Sequence, residues 1–422
     1  MKAVLIVAGR GTRLWPLTEY TPKPLLPVGG RPMLEWMIKR VKEAGIKEVL
    51  LVTNYLEGQI REYFGDGSGH GVRISYAHQI DMIGTANAFS YGRDWVAGEE
   101  FLGLYGDHYL AKGALKRIAK AHIAGEVTVA ALEVEDPSQY GAFALEEDLV
   151  KRVVEKPLKG EEPSKFANVG IYVFPPRVFD YISRTQKSPR GEYEITDTLQ
   201  LMIDEGVIVR KHDLEPADWL DIGLPWILLE ANERAMAGLR HHVEGTVDEG
   251  AYIHGPVWVK KEARIRSGAY IEGPAIIGEG SDVGPNCYIR AGTCLCRGVR
   301  IGNACEVKNS IIMDGTHAAH LSYLGDCIIG KGCNLGAGTI TANLRFDKTP
   351  IEVTVKGERL NSGRRKLGVI MGDNVQTGVN VSIHPGVVIG PDSWIAPGLT
   401  IQRDVPGKVI KFRILDNKEN PR

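Results

Sequence analysis

Two glycines separated by a single residue, Gly9 and Gly11, follow an apolar opening run and lead into Thr12, Arg13 and, further along the same loop, Lys23. Glycine lets backbone N–H groups approach a phosphate closely, and the two cations neutralise it. Pro22, Pro24 and Pro27 stiffen the chain around Lys23. The spacing is neither GxGxxG nor a P-loop, and a GxG taken alone reads as solvated surface. Arg13 and Lys23 are what raise phosphate binding above that reading. A second concentration of reactive types is Thr316-His317-Ala-Ala-His320-Leu-Ser-Tyr323-Leu-Gly-Asp326. Histidine titrates near working pH and can take a proton from a nucleophile, although a lone histidine is more often an ordinary surface residue. The six cysteines, Cys287, Cys294, Cys296, Cys305, Cys327 and Cys333, form no CxxC pair and have no histidine cluster at zinc spacing. They read as small reduced core or surface residues, not as nucleophiles or metal ligands.

The elements that must position these residues follow two grammars. In the first half, Lys2–Ala8 reads as a buried strand, and Leu34, Met37, Ile38, Val41 and Ala44 sit at helical spacing until Gly45. Glu48–Thr53 is the next buried strand, so the region opens as a βαβ unit and predicts a mainly parallel sheet with helices on both faces. Further strands are expected at Ile74–Ala77, Phe101–Tyr105, Val127–Glu133, Val150–Glu155 and Gly170–Phe174, and a bridging helix at Leu224–Leu239. In the second half, reading from Val247 in steps of six gives an aliphatic residue or methionine at every position up to Met313. The phase is lost there, reappears at Ile329 and Leu335, gives way to a non-repeating stretch from Leu344 to about Leu367, and returns as Ile383, Ile389, Ile395 and Ile401. A period of six is not helical. It suits short strands joined by tight turns, with one inward aliphatic per hexapeptide and glycine accepting the turn backbone. An array interrupted at one place usually holds something other than its core there.

Composition limits the partners. With 51 Lys+Arg against 52 Asp+Glu over 422 residues, the net charge of −1 gives no electrostatic case for nucleic acid or an anionic membrane. No apolar run approaches the ~18 residues of a membrane span, and the opening run is too short for a signal peptide. A cytoplasmic, multi-domain enzyme is expected. The boundaries predicted are 1–235 for the first domain, 236–245 for a linker ending the bridging helix, 246–410 for the repeat domain and 411–422 for a tail.

The string Leu5-Ile-Val-Ala8-Gly9-Arg-Gly11-Thr12-Arg13-Leu, then Pro22-Lys23-Pro24, closely resembles the signature of sugar-1-phosphate nucleotidylyltransferases. Further matches follow in family order: Gln79 with Gly84-Thr85-Ala86, Tyr105-Gly-Asp107, Gly141, Glu155-Lys156-Pro157, Asn168-Val-Gly170 and Trp219-Leu-Asp221-Ile-Gly223. The resemblance covers residues 1 to about 235 and implies an α/β Rossmann-like domain. It assigns Ala8, Gly9, Gly11, Thr12, Gln79, Gly84 and Thr85 to nucleotide binding, and Asp107 and Asp221 to Mg²⁺. Gly141, Glu155, Lys156 and Asn168 fall to the sugar phosphate, and Arg13 and Lys23 to phosphate charge during catalysis. Asp218 is the bystander beside Asp221. Gln79 and Gly84 imply a pyrimidine donor, UTP or dTTP.

The hexapeptide half resembles the left-handed parallel β-helix of acyltransferases, whose prisms assemble as trimers with sites between subunits. The strings around His320 and Cys333-Asn334-Leu-Gly-Ala-Gly-Thr-Ile-Thr-Ala-Asn343 resemble the acetyltransferase half of bacterial bifunctional enzymes that make UDP-N-acetylglucosamine. Asn343-Leu-Arg-Phe-Asp347 and Ser362-Gly-Arg-Arg-Lys366 bring the chain closer to archaeal sugar-1-phosphate nucleotidylyltransferase/acetyltransferases. The resemblance implies acetyl-CoA as donor, His320 as base, and Tyr323, Asn334 and Asn343 as substrate ligands, Asn343 on the amine or on the acetyl group. Ala396 and Arg403 match positions near the coenzyme A arm. The chain departs from the bacterial pattern at Leu344, where those relatives carry Tyr, and at Val379 and Asn380, where they carry Ser-Asp. A homotrimer acting on small molecules is implied, with neither nucleic acid nor membrane as partner. Two other readings stand beside this one: a single-activity glucose- or mannose-1-phosphate nucleotidylyltransferase with a structural prism, and a non-catalytic regulatory subunit, which tends to lose the cations and carboxylates retained here.

Overall fold

A computed structural model describes residues 1–412. The expected tail at 411–422 therefore lies almost wholly outside the described residues. Contacts divide the chain into two compact units: Met1–Arg10, Pro22–Leu25 and Pro32–Ile222 form one, while Gly11–Thr21, Leu26–Arg31 and the described residues from Gly223 onward form the other.

The first unit is a nine-stranded sheet. In chain order its strands are β1 (Lys2–Ile6), β2 (Glu48–Thr53), β3 (Arg73–His78), β4 (Phe101–Tyr105), then β6 (Val127–Glu133), β7 (Gly141–Glu146), β8 (Leu149–Glu155), β9 (Phe166–Phe174) and β10 (Val209–Leu214); β5 (His108–Leu110) stands apart and pairs with β11 (Trp219–Asp221). The sheet order is β3-β2-β1-β4-β9-β6-β10-β8-β7. Helix α1 (Met33–Glu43) buries Leu34, Met37, Ile38 and Val41. It stops where Gly45 takes φ +87°, a left-handed conformation that glycine adopts without a Cβ penalty.

The βαβ opening is present, with β1 parallel to β2 and β4, and β2 parallel to β3. The expectation of a mainly parallel sheet is corrected beyond β4. Strand β9 runs antiparallel to both β4 and β6. The β7–β8 hairpin turns at Glu147 (φ +54°) and Asp148, so those neighbours are antiparallel too. Buried apolar runs carry no strand direction, whereas a two-residue connection forces reversal.

In the second unit, three parallel sheets of eight, nine and eight short strands form the sides of a prism, the left-handed parallel β-helix. Registers such as Ile265↔Val283, Ile271↔Ile289 and Ile277↔Leu295 show that each coil is built of three hexapeptides, with one aliphatic per side turned inward. Glycines fill sites where coils stack closely: a Cβ on Gly302 would collide with the backbone of Ala319. The interior column also holds Cys287, Cys305, Cys327 and Cys333, whereas Cys294 and Cys296 pack outside it against Met236 and Ile276.

The loss of hexapeptide phase after Met313 is also corrected, because the array continues. The step from Val307 to the next core residue is five, so Ile312 rather than Met313 joins the column, followed by Ala318 and Leu324. A second step of five leads from Leu324 to Ile329. The registers Ile301↔Ala318 and Ile312↔Ile329 accordingly fall one position short of three full hexapeptides. The expected non-repeating stretch is where the array is interrupted: after Thr341 the chain leaves the prism, forms an antiparallel hairpin of Glu352–Val355 and Glu358–Asn361, and returns at Ile370–Met371. The second unit also contains helix α2 (Pro225–Met236), which begins on Pro225 as helices favour. Asn232 of α2 accepts from Gly29 N at 2.9 Å and donates to Gly292 O at 3.0 Å. No helix among the described residues is long and apolar enough to cross a membrane.

Candidate active sites

In the first unit, Lys23 and Asp107 meet. Lys23 is buried, on a one-turn segment, and its Nζ lies 2.6 Å from Asp107 Oδ2. Asp107 follows β4, the strand beside β1, and Asp221 ends β11. Register places Asp221 opposite His108, one residue from Asp107, and Ile222 N donates to Asp107 O at 3.3 Å. His108 is buried and its Nδ1 has no partner among the described residues. Burial lowers its pKa, opposed by the carboxylates of both Asp107 and Asp221, so the two acids lie close to one ring. Asp218 is a structural residue: its Oδ2 receives Arg117 at 2.5 Å and the Glu215 N–H at 3.1 Å.

The donor chemistry fits a hard divalent cation. Two carboxylates offer oxygen ligands and leave positions for phosphates and water, the usual arrangement for Mg²⁺. No cluster of three or more acidic, histidine or cysteine side chains suited to a metal occurs among the described residues.

Gly141, Glu155 and Asn168 are also brought together. Strand pairing sets Gly141 opposite both Glu155 and Asn168. A Cβ on Gly141 would come within 3.2 Å of Glu155 Oε2 and 3.3 Å of Asn168 Cβ, so glycine keeps this floor open. Glu155 accepts from Thr196 Oγ1 at 3.1 Å, and Asn168 Nδ2 donates to Tyr172 Oη at 2.8 Å. Lys156 is exposed and follows Glu155 with φ +43°. Glu194 is a neighbour that sequence reasoning missed: burial and the negative Glu155 push its pKa up to about 7.

Ala8 is buried two residues beyond β1, while Gly9 is exposed with nothing near a Cβ. Gln79 is buried and donates to Asp81 O and Asn87 Oδ1 at 3.1 and 2.9 Å. Gly84 takes φ +124° against the backbone of Tyr193, where a Cβ would collide. Thr85 Oγ1 then accepts from Ile195 N at 2.9 Å. Gly11, Thr12 and Arg13 belong to the second unit. Gly11, at φ +65°, opens a turn in which its carbonyl accepts from Leu14 N at 2.8 Å and Thr18 Oγ1 at 3.0 Å, leaving Thr12 and Arg13 exposed.

On the prism, His320 is exposed at the end of strand His317–His320. Tyr323 and Asn343 meet at a neighbouring corner, with Asn343 Nδ2 3.2 Å from Tyr323 Oη. Tyr323 also borders a groove of about 560 Å³ with Tyr288, Glu306 and Ile340. Burial raises the Tyr323 pKa, so it is a neutral donor or acceptor. Asn334 is exposed on the coil after His317, with which it is in register. Ala396 and Arg403 lie on later coils, and none of His320, Asn334 and Arg403 makes a side-chain hydrogen bond to the Tyr323–Asn343 pair among the described residues. Two residues were missed as site members: buried Asp326, which accepts from Asn343 Nδ2 at 2.5 Å, and Lys308, 3.1 Å from the same carboxylate. Burial pushes the Cys287, Cys327 and Cys333 thiols up to about 12, so these are neutral and inert near pH 7.

A mixed α/β unit in which buried Lys23, on the loop after the first strand, pairs with Asp107 just after β4, followed by a hexapeptide prism, defines a nucleotidyltransferase joined to an acyltransferase-type β-helix. Residues 2–237 match the nucleotidyl transferase family, and residues 271–377 match the C-terminal domain named for GMPPB. The chain is 44% identical over 407 residues to the bifunctional protein GlmU of Methanococcus maripaludis strain C7, covering 96% of this chain and 95% of that one. It is 38% identical to the bifunctional sugar-1-phosphate nucleotidylyltransferase/acetyltransferase of Sulfurisphaera tokodaii, covering 96% and 98%. Among solved structures, UDP-glucose pyrophosphorylase complexed with UDP-glucose matches with a TM-score of 0.50 and 26% identity, over 55% of this chain and 96% of that one. The chain belongs to the bifunctional sugar-1-phosphate nucleotidylyltransferase/acetyltransferase family, and it is a transferase.

Proposed function

We propose that this enzyme works in the cytoplasm on the route to UDP-N-acetylglucosamine, with residues 1–235 and 246–410 as its two catalytic domains. Acetyl-CoA acetylates the amine of glucosamine-1-phosphate, and UTP or dTTP then delivers its nucleotidyl group to the resulting sugar phosphate. The observation that carries the reading is that each unit has its own furnished polar site: Lys23–Asp107 beside Asp221 in one, and Tyr323–Asn343–Asp326 in the other.

In nucleotidyl transfer a sugar-phosphate oxygen attacks the α-phosphorus in line, and the bond to the β-phosphate oxygen breaks to release pyrophosphate. The nucleophile is already anionic near pH 7, so no base is required. Lys23 neutralises the α-phosphate and Arg13 grips the leaving phosphates. Gly9, Gly11, Thr12 and Ala8 line the triphosphate, while Gln79, Gly84 and Thr85 read the base. Glu155 and Asn168 bind sugar hydroxyls from the floor kept open by Gly141, and Lys156 binds the sugar phosphate. Asp107 and Asp221 would hold Mg²⁺, which supplies charge neutralisation between the two polyanions when bound.

In acetyl transfer the amine nitrogen attacks the thioester carbon, His320 accepts the amine proton, and the C–S bond breaks to release coenzyme A. Tyr323, Asn334 and Asn343 position the amino sugar; Ala396 and Arg403 border the donor. The prism is proposed to act as a homotrimer.

The test measures thiol release from acetyl-CoA with glucosamine-1-phosphate, and UTP-dependent pyrophosphate formation, for wild type and His320→Ala. The expected result is thiol release lost in the variant and pyrophosphate formation unchanged. No thiol release from wild type with any amino-sugar phosphate would leave a single-activity enzyme with a structural prism.

A further inference from the structure

Asn309, Asp326 and Asn343 recur at the interval of the shortened coil, one position less than three hexapeptides, and occupy the same corner of three successive coils. Their side chains form a column. Asp326 is 2% exposed, and its Oδ1 accepts from Asn309 Nδ2 at 2.9 Å while its Oδ2 accepts from Asn343 Nδ2 at 2.5 Å. Asn343 Nδ2 also lies 3.2 Å from Tyr323 Oη. Gly325 makes room for this meeting, because a Cβ there would fall 2.6 Å from Asn343 Nδ2.

An amide nitrogen has two hydrogens to give, and here both have acceptors. Flipping the amide end for end would set Oδ1 against the Asp326 carboxylate, exchanging a charge-assisted hydrogen bond for a repulsion. Asn343 Oδ1 therefore faces away from Asp326, and it accepts no side-chain hydrogen bond among the described residues. So held, Asn343 can accept from a substrate but has no N–H left to donate to a thioester carbonyl.

This distinction bears on which nucleophile the site takes. An attacking primary amine carries two hydrogens. One passes to the base and the other remains on the product amide nitrogen, where an acceptor can hold it throughout. A sugar hydroxyl has a single hydrogen, which the base requires. We propose that Asp326 is a positioning residue that fixes Asn343 as a hydrogen-bond acceptor, and that this makes the acetyl site select an amine over a hydroxyl nucleophile. The inference rests on the acetyl-transfer reading above.

The experiment compares wild type with Asp326→Asn, Asn343→Asp and the double exchange, measuring thiol release with glucosamine-1-phosphate and with glucose-1-phosphate as the hydroxyl control. In Asp326→Asn a single amide oxygen must serve Asn309 on one side and Asn343 with Lys308 on the other, so one side loses its acceptor; in Asn343→Asp two carboxylates face each other. The exchange restores one donor facing one carboxylate, with an acceptor again turned outward. Each single variant is expected to lose roughly 10- to 100-fold in kcat with the amine, at unchanged KM for acetyl-CoA, and the exchange to recover most of that loss. Pyrophosphate formation, none of whose proposed residues lies in this corner, reports that each variant is folded. Should Asp326→Asn lose both activities, Asn343→Asp decides alone, and full kcat there would overturn the proposal. Wild-type kcat in Asp326→Asn, an exchange no better than the worse single variant, or equal wild-type rates with amine and hydroxyl would each overturn it too. Those results leave the acetyl reading standing, whereas absence of thiol release from wild type removes that reading and this inference together.

Discussion

Lys23 and Asp107 form a short, largely buried ion pair, and the proposed chemistry gives its two members separate tasks once phosphates arrive. Asp107→Asn keeps the size of the side chain while removing the charge that would hold Mg²⁺. Nucleotidyl transfer should fall by ~100-fold or more, with acetyl transfer intact; parallel assays check this, and loss of both activities would contradict separate sites. Glu194 allows a test that needs no substrate. Burial and Glu155 raise its pKa from 4.5 to about 7, so the folded chain holds this proton over a range where the unfolded chain has released it. Stability from this group therefore falls as pH rises from about 4.5 to about 7, and the deficit is complete above 7. Glu194→Gln should raise the melting temperature at pH 8 and change it little at pH 4. An equal shift at both values would show that the carboxyl is not held neutral.

At the scale of elements, the sequence was most legible where side-chain period and burial coincide. The hexapeptide period located the prism core from Val259 to Val307, and helical spacing located α1. Strand direction was illegible beyond β4, because β9 buries both faces whichever way its neighbours run. The steps of five were illegible for a different reason. Counting in fixed sixes cannot follow a shortened corner, and the small core residue Ala318 carries little signal of its own. Yet the even spacing of Asn309, Asp326 and Asn343 was available in the sequence and marks those corners directly. The shortened corner fixes where Asp326 meets its two neighbours, so lengthening that corner by one residue should displace the contacts. One glycine inserted between Asp326 and Cys327 should leave the prism folded, as read by its melting transition and by pyrophosphate formation. Acetyl transfer should drop by about 100-fold, the scale of an ångström-sized misplacement. Undiminished acetyl transfer would show that the corner geometry is irrelevant to that step.

At the scale of the whole molecule, the prism leaves apolar and aromatic side chains on its outer surface, among them Tyr252 (64% exposed), Leu321 (60%) and Trp394 (57%). Phe346, on the excursion from the prism, is fully exposed. Such residues are the usual material of contacts between copies, and on the second unit they accompany the residues proposed for acetyl transfer, His320 and Tyr323 among them. Nucleotidyl transfer is assigned to residues carried by a single chain. Oligomerisation should therefore matter unequally to the two activities. Dilution through the dissociation range, followed by sedimentation, should convert a trimer or a multiple of three into monomers. Over that range acetyl transfer per chain should fall in step with the trimer, while pyrophosphate formation per chain stays level, because mass action removes only what neighbouring copies complete. Acetyl transfer that stays level into the monomer range would place a finished site on one prism, and the exposed residues would then need another partner to account for them.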